Sequence, residues 1–368
     1  MKVLVAGASG LVGGAALAHF AALPGWEAVG VSRRAAPAPS GATSVSLDLT
    51  DADACRAVVA AHPDVTHLVY AAVAEAPGLT GGWLDDEVIE RNGAMLRHLF
   101  DALDAGAPGL QHVSLLHGTK AYGLHTGITV TPQMVPLRER LPRVAHRNFY
   151  FVQEEYLRAR QKDWNLTVLR PTVVYGEATG NNMNPLLPLA VYAALLRERG
   201  EPLHRPWAEE RPPLLVEAVD AALVGEALAW AATSPAARDE TFNLTNGDVF
   251  SWEGIWPALA DALCMDVGEH RPVFFARDVR PRSEEWEATV DRHGLRAPRD
   301  LDSFVGPNSF VYADIVIPGR GTPSLPSLNS TIKVRQAGFA GCLDTEDMFR
   351  RQIRGLQQAR MIPGRGST

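Results

Sequence analysis

This sequence of 368 residues predicts an α/β fold: a doubly wound parallel sheet with a smaller, discontinuous lobe toward the C-terminus. Three observations carry that expectation. Through Tyr175, short apolar runs alternate with helical patterns, the rhythm of βαβ units. A glycine-rich turn, Gly7-Ala8-Ser9-Gly10-Leu11-Val12-Gly13, stands between the first apolar run and the first helix. After Gly176 the rhythm lapses, and the sequence turns rich in Trp, Pro and Arg.

The elements follow in order. Strands are expected at Lys2-Ala6, Ala28-Val31, Ser44-Leu47, His67-Tyr70, His112-Leu116 and Leu166-Arg170; parallel strands buried on both faces should be nearly continuously apolar, and these largely are. Helices are expected around Leu11-Ala22, Ala52-Ala61, Asp85-Ala105 and Asn148-Lys162. Beyond them lie an apolar core helix from Pro185 to Leu196, a charged Pro-rich stretch (Arg199 to Pro213) and a helix from Glu217 to Ala232. Thr241-Phe242-Asn243-Leu244 reads as a late strand returning to the main sheet. This divides the chain into a nucleotide-binding domain, residues 1–176 with about 214–248, and a substrate lobe from 177–213 and 249–368. The long loop from Pro318 to Leu328 is the expected mobile flap.

Bulk properties narrow the function. A net charge of −7 argues against nucleic acid or an anionic membrane as partner. No apolar run reaches the length of a membrane span, and no secretory signal opens the chain. Cys55, Cys264 and Cys342 are scattered and form no CxxC, so they read as reduced thiols in a cytoplasm. No metal is expected, and a homodimer is the default for the class.

The glycine-rich turn has GxxGxxG spacing, the short-chain dehydrogenase variant of the dinucleotide fingerprint of Rossmann folds. Glycines there let the backbone of Gly7, Ser9, Gly10, Leu11, Val12 and Gly13 approach a pyrophosphate at a helix N-terminus. The second strand ends in Val31-Ser32-Arg33-Arg34. An enzyme that prefers NAD would place an acid near this tip for the ribose 2′-hydroxyl. Here Ser32 leads into two guanidiniums instead, matched to a 2′-phosphate, so NADP(H) is the expected cofactor. Asp48, with Leu49 beside it, closes the third strand; it either holds the adenine amino group or caps the following helix.

Short-chain dehydrogenases usually carry a catalytic Tyr followed four residues later by Lys. No tyrosine here has that spacing: Tyr150 is followed at that position by Glu154, Tyr122 by Thr126 and Tyr156 by Arg160. The Ser or Thr expected four residues before the Tyr of a Tyr-Gly dipeptide is replaced by Gly118. A lysine stands upstream instead, in His117-Gly118-Thr119-Lys120-Ala121-Tyr122, and a second block reads Asn148-Phe149-Tyr150-Phe151-Val152-Gln153-Glu154-Glu155.

With these two blocks the chain resembles the progesterone-5-beta-reductase and iridoid-synthase family, an atypical branch of extended short-chain dehydrogenases, whose signatures read TGxKHY and NFYYxxED. Further likeness lies in Arg170-Pro171-Thr172-Val173-Val174-Tyr175-Gly176 and in Phe242-Asn243-Leu244-Thr245-Asn246-Gly247. The resemblance implies catalytic roles for Lys120 and Tyr150. It also implies cofactor contacts at both of them and at Ala72, Leu116, Val174, Asn181, Asn182 and Met183. The chain departs from the family where a Thr-Trp pair becomes Ala72-Val73, where the Thr before the Gly is His117, and where the His after the Lys is Ala121. Those changes bear on the pocket more than on the chemistry.

The chemistry follows from the residues. Reducing an enone at carbon needs a hydride at the β-position and stabilisation of the enolate oxyanion. The phenol of Tyr150 supplies the hydrogen bond, and the Lys120 ammonium is expected to lower its pKa and to hold the nicotinamide ribose. His117 and His146 read as structural or pocket-shaping. The leading reading is thus an NADPH-dependent ene-reductase. A carbonyl reductase or epimerase of the extended type and a catalytically silent NADP-binding regulator are the alternatives.

Overall fold

The structure, a computed structural model, describes residues 1–34, 38–76, 79, 82–210, 214–317 and 326–364. Its centre is a seven-stranded parallel sheet. The strands are β1 (Lys2–Ala6), β2 (Glu27–Ser32), β3 (Ala42–Ser46), β4 (His67–Tyr70), β5 (His112–Leu116), β6 (Asn165–Pro171) and β7 (Thr241–Leu244). They lie in the order β7-β6-β5-β4-β1-β2-β3. The late strand does return to the sheet, with Phe242 paired to Leu169.

Alternation along β1 shows how the sheet divides two cores. Val3 and Val5 point to one face, against Leu17 and Phe20 of α1 (Leu11–Ala22) and Leu223 and Leu228 of α6 (Ala221–Thr233). Leu4 and Ala6 point to the other. There they meet α2 (Ala52–Ala60), α3 (Asp86–Gly106) and α4 (Phe149–Arg160) through Val59, Leu99, Phe100 and Leu157. Burial of such side chains on both faces, at about 25 cal/mol per Å², is what a continuously apolar strand is for.

A third core is helical. Every residue of α5 (Leu186–Glu198) from Leu186 to Leu196 is buried, because α7 (Trp252–Leu263), α8 (Ser283–His293), α9 (Leu301–Val305), α10 (Pro307–Val316) and α12 (Thr345–Gln358) contribute to the same cluster; α11 (Ile332–Gln336) packs beside β7. Trp252, Trp256 and Trp286 fill it, and each indole N–H donates to a carbonyl, those of Val316, Leu203 and Pro298. No helix among the described residues is long and apolar enough to cross a membrane.

The helix expected from Glu217 to Ala232 starts later than the pattern predicted, at Ala221. Val219–Asp220 instead pairs with Val174–Tyr175 as a short strand, and the Asp220 carboxylate caps the Ala222 N–H. That leaves Glu217 in a loop, buried, accepting 2.8 Å bonds from the backbone and side-chain N–H groups of Asn329. Residues 318–325 of the expected flap lie outside the described residues.

Burial pushes the Glu217 carboxyl up to about 7; the Asn329 bonds oppose the shift and Asp248 adds to it. A carboxyl raised on folding contributes stability that is full below its unfolded pKa and is lost as pH rises through the folded one. Urea unfolding should therefore show up to about 3 kcal/mol lost between pH 4.5 and about 7 through this group. Glu217→Gln should flatten that increment, and an unchanged slope in the variant refutes the assignment.

Candidate active site

A cavity of about 850 Å³ opens where β1, β2, β4, β5 and β6 end, the usual crevice of an open α/β sheet. Its floor at α1 is backbone. Gly7 sits at φ +83, and a Cβ there would lie 2.8 Å from the backbone of Ala71 and Ala72, so no other residue fits. Gly10 begins the helix without any side-chain cap, which leaves N–H groups at the helix start aimed at the space beside Ser9, Leu11 and Val12. These features fit a dinucleotide pyrophosphate. Gly13 alone among the expected cofactor residues does not line the cavity. It faces inward, where a Cβ would stand 2.1 Å from the Gly7 carbonyl oxygen, so it serves the close packing of helix on turn.

At the tip of β2, Arg33 and Arg34 are exposed and line the same cavity with Ser32. The turn is fixed from beneath: the Ser32 hydroxyl donates to the Arg34 carbonyl at 2.6 Å, and the Ser46 hydroxyl to that of Arg33 at 3.0 Å. Asp48 and Leu49 line it too. Asp48 Oδ1 accepts from both the N–H and the hydroxyl of Thr50, which holds its carboxyl below the usual range. The helix cap that Asp48 could have been is Asp51, which accepts from the N–H groups of Asp53 and Ala54.

Lys120 and Tyr150 come from different elements and meet in this cavity. Lys120 stands on the short 3-10 turn Thr119–Tyr122 after β5, and Tyr150 in the first turn of α4. Asn148 ties them together. Its Oδ1 caps the Tyr150 N–H at 3.0 Å while its Nδ2 donates to the Lys120 carbonyl at 3.3 Å. His117 fixes the tyrosine further: its Nε2 lies 3.0 Å from the Tyr150 carbonyl, and the two rings stack at 4.5 Å. Burial and the Arg170 guanidinium keep this imidazole neutral. His146 is a turn residue, with Nδ1 3.1 Å from the Val144 carbonyl.

The absent hydroxyl and the absent lysine both have structural counterparts. A Cβ on Gly118 would stand 3.4 Å from the Tyr150 phenol oxygen, where a serine would sit beside it. Glu154, four residues past Tyr150, is buried and ion-paired to Arg143 and Arg158, both at 2.9 Å, so that position is a structural anchor.

The electrostatics correct one expectation. The Lys120 ammonium lies 3.0 Å from Met183 Sδ and 4.0 Å over the Trp83 ring. Burial pulls its pKa down to about 8, with Glu75 opposing. The Tyr150 phenol is pushed well up, first by burial and then by Glu75 and Tyr312. Desolvation of the phenolate outweighs any help from the lysine. Tyr150 is thus a neutral O–H donor at physiological pH.

Ala72, Leu116, Val174, Asn181, Asn182 and Met183 all line the cavity, as do residues the sequence reading passed over, Glu75, Trp83, Phe149 and Tyr312 among them. Glu75 had a signal: an acid just past a strand's C-terminal end, within an apolar stretch. Tyr312 had none, since only the docking of α10 brings it here.

Residues 3–216 match the NAD dependent epimerase/dehydratase family, to which the chain belongs, and with it to the extended short-chain dehydrogenases/reductases. The fold agrees: a UDP-glucose 4-epimerase of Thermus thermophilus superposes with a TM-score of 0.66 at 16% identity, covering 98% of this chain and 100% of that one. Within that class the chain is 30% identical to the (S)-8-oxocitronellyl enol synthase of Antirrhinum majus and 29% to the 3-oxo-Delta(4,5)-steroid 5-beta-reductase of Arabidopsis thaliana. Each alignment covers 98% of this chain and 92% of the relative. The chain is an oxidoreductase of the progesterone-5-beta-reductase and iridoid-synthase family.

Proposed function

We propose that this protein is an NADPH-dependent ene-reductase, which adds hydride to the β-carbon of an enone or enal. The observation that carries the reading is the placing of Lys120 and Tyr150 in one cavity, tied through Asn148, with the usual serine and lysine positions given over to Gly118 and Glu154. Gly7, Gly10 and the start of α1 would hold the pyrophosphate of the cofactor, and Arg33 and Arg34 its 2′-phosphate. When bound, the nicotinamide supplies the hydride.

The rest is the work of the chain. Tyr150 donates its phenol hydrogen to the substrate carbonyl oxygen, and that bond strengthens as the oxygen gains enolate charge. Lys120, protonated below about pH 8, places positive charge in the same low-dielectric space. Donors of this kind are worth roughly 3–4 kcal/mol at the transition state. Trp83, Phe149 and Tyr312 give the substrate an aromatic wall that excludes water.

Product analysis tests the reading. With an enone and deuterium-labelled NADPH, the saturated ketone should form with the label on the β-carbon. An allylic alcohol labelled on its carbinol carbon would make the protein a carbonyl reductase instead, and cofactor binding without turnover of any enone or ketone would make it a regulator.

A further inference from the structure

Glu75 has no part in the chemistry above, and its surroundings leave it unsatisfied. Both carboxylate oxygens are buried and have no hydrogen-bond partner among the described residues, although the side chain lines the cavity. The nearby amides of Asn182 and Asn308 offset part of the effect of burial without forming a hydrogen bond of ordinary geometry to its oxygens. Lys120 acts on it through space. A buried polar atom left unpaired costs about 1–3 kcal/mol, more when it is charged, so native proteins retain few of them. Those they do retain need a reason.

The neighbours say what kind of ligand fits. Glu75 bears electrostatically on both phenols, Tyr150 and Tyr312, and on the Lys120 ammonium, so it belongs to the end of the cavity where the substrate reacts. Trp83, Phe149 and Met183 line the cavity as well, with Asn182 beside Glu75. Ionised or neutral, a carboxyl has an oxygen that accepts a hydrogen bond. A cationic donor would have to enter beside Lys120, and an anion beside Glu75. A neutral hydroxyl meets neither penalty.

We propose that Glu75 is a specificity residue which accepts a hydrogen bond from a hydroxyl group on the substrate, so that the preferred enones or enals are hydroxylated ones. This rests on the ene-reductase reading for the reacting group and adds a second polar handle to it. A site built to bond a hydroxyl rejects the analogue lacking it far better than an apolar pocket distinguishes sizes. The discrimination should be about ten- to a hundred-fold, the range for hydrogen bonds to charged groups.

Binding isolates this from turnover. Trp83 lines the cavity, so quenching of its fluorescence reports occupancy. Saturated ketones bearing a terminal hydroxyl on chains of graded length, each paired with its deoxy analogue, would be titrated into the full-length protein with NADP⁺ bound. The best hydroxy ketone should bind at least about ten-fold tighter than its partner. Glu75→Leu should erase that ratio, and Glu75→Gln, which keeps an acceptor oxygen, should retain part of it. Equal affinities across the unmutated protein's series, no binding of either kind, or a ratio that survives Glu75→Leu would overturn the proposal. So would a loss of NADP⁺ affinity in Glu75→Leu with the ketone preference intact, since that assigns the carboxyl to the cofactor. A hydroxyl preference in binding without reduction of any enone keeps Glu75's role and refutes the ene-reductase reading instead.

Discussion

Tyr150→Phe should slow enone reduction by about ten- to a thousand-fold while leaving cofactor affinity unchanged. The loss should be least for the most electrophilic enals, whose enolates need least help. Lys120→Ala should slow the same step and also weaken NADPH binding if the ammonium reaches the ribose. Because both groups act on one developing oxyanion, the double variant should lose less than the product of the two single losses. Strict multiplicativity would mean that they act independently. The pH profile separates their roles. Lys120 is protonated below about pH 8, so the part of kcat/KM that depends on it should fall as pH rises through that value. In Lys120→Ala this limb should vanish. Tyr150 stays protonated throughout the range, because burial holds its pKa far up.

Arg33→Ala should remove about 1.5–3 kcal/mol of the preference for NADPH over NADH, measured as the ratio of the two dissociation constants. Both arginines lie at an exposed strand tip where salt screens, which favours the lower part of that range. The backbone of the turn is held by Ser32 and Ser46, so the variant should keep its fold and its affinity for NADH. Equal affinities for the two cofactors in the unmutated protein would end the assignment of a 2′-phosphate site.

How much of this could be read in advance differed by kind of residue. The sheet was legible because strands covered on both faces must be apolar throughout, and β1, β4 and β5 match the expected bounds. Ends were less so: β3 begins two residues before its predicted start, at Ala42, where alignment with Ala28 of β2 outweighs local pattern. The cavity residues with a local signature, Gly7, Arg33, Lys120 and Tyr150, came from the sequence. Glu75 had only the weak local signal of an acid after a strand's end, and Tyr312 had none, because tertiary packing alone brings it to the cavity. The upward shift of the Tyr150 phenol, where a lowering by the lysine was expected, has the same origin. Sequence names the charges in a site but not how dry it is, and here dryness decides.

Asn148 carries an implication for how such a site can change over time. In the ordinary arrangement tyrosine and lysine ride on one helix, so their spacing is set by helical pitch and cannot be tuned. Here the lysine belongs to a turn that precedes the tyrosine by a long excursion through residues 123–147, and the Asn148 amide, with His117 behind it, fastens the two ends. None of the residues 123–147 lines the cavity, so a change within the excursion should reach the Lys120–Tyr150 spacing only through the contacts at its two ends.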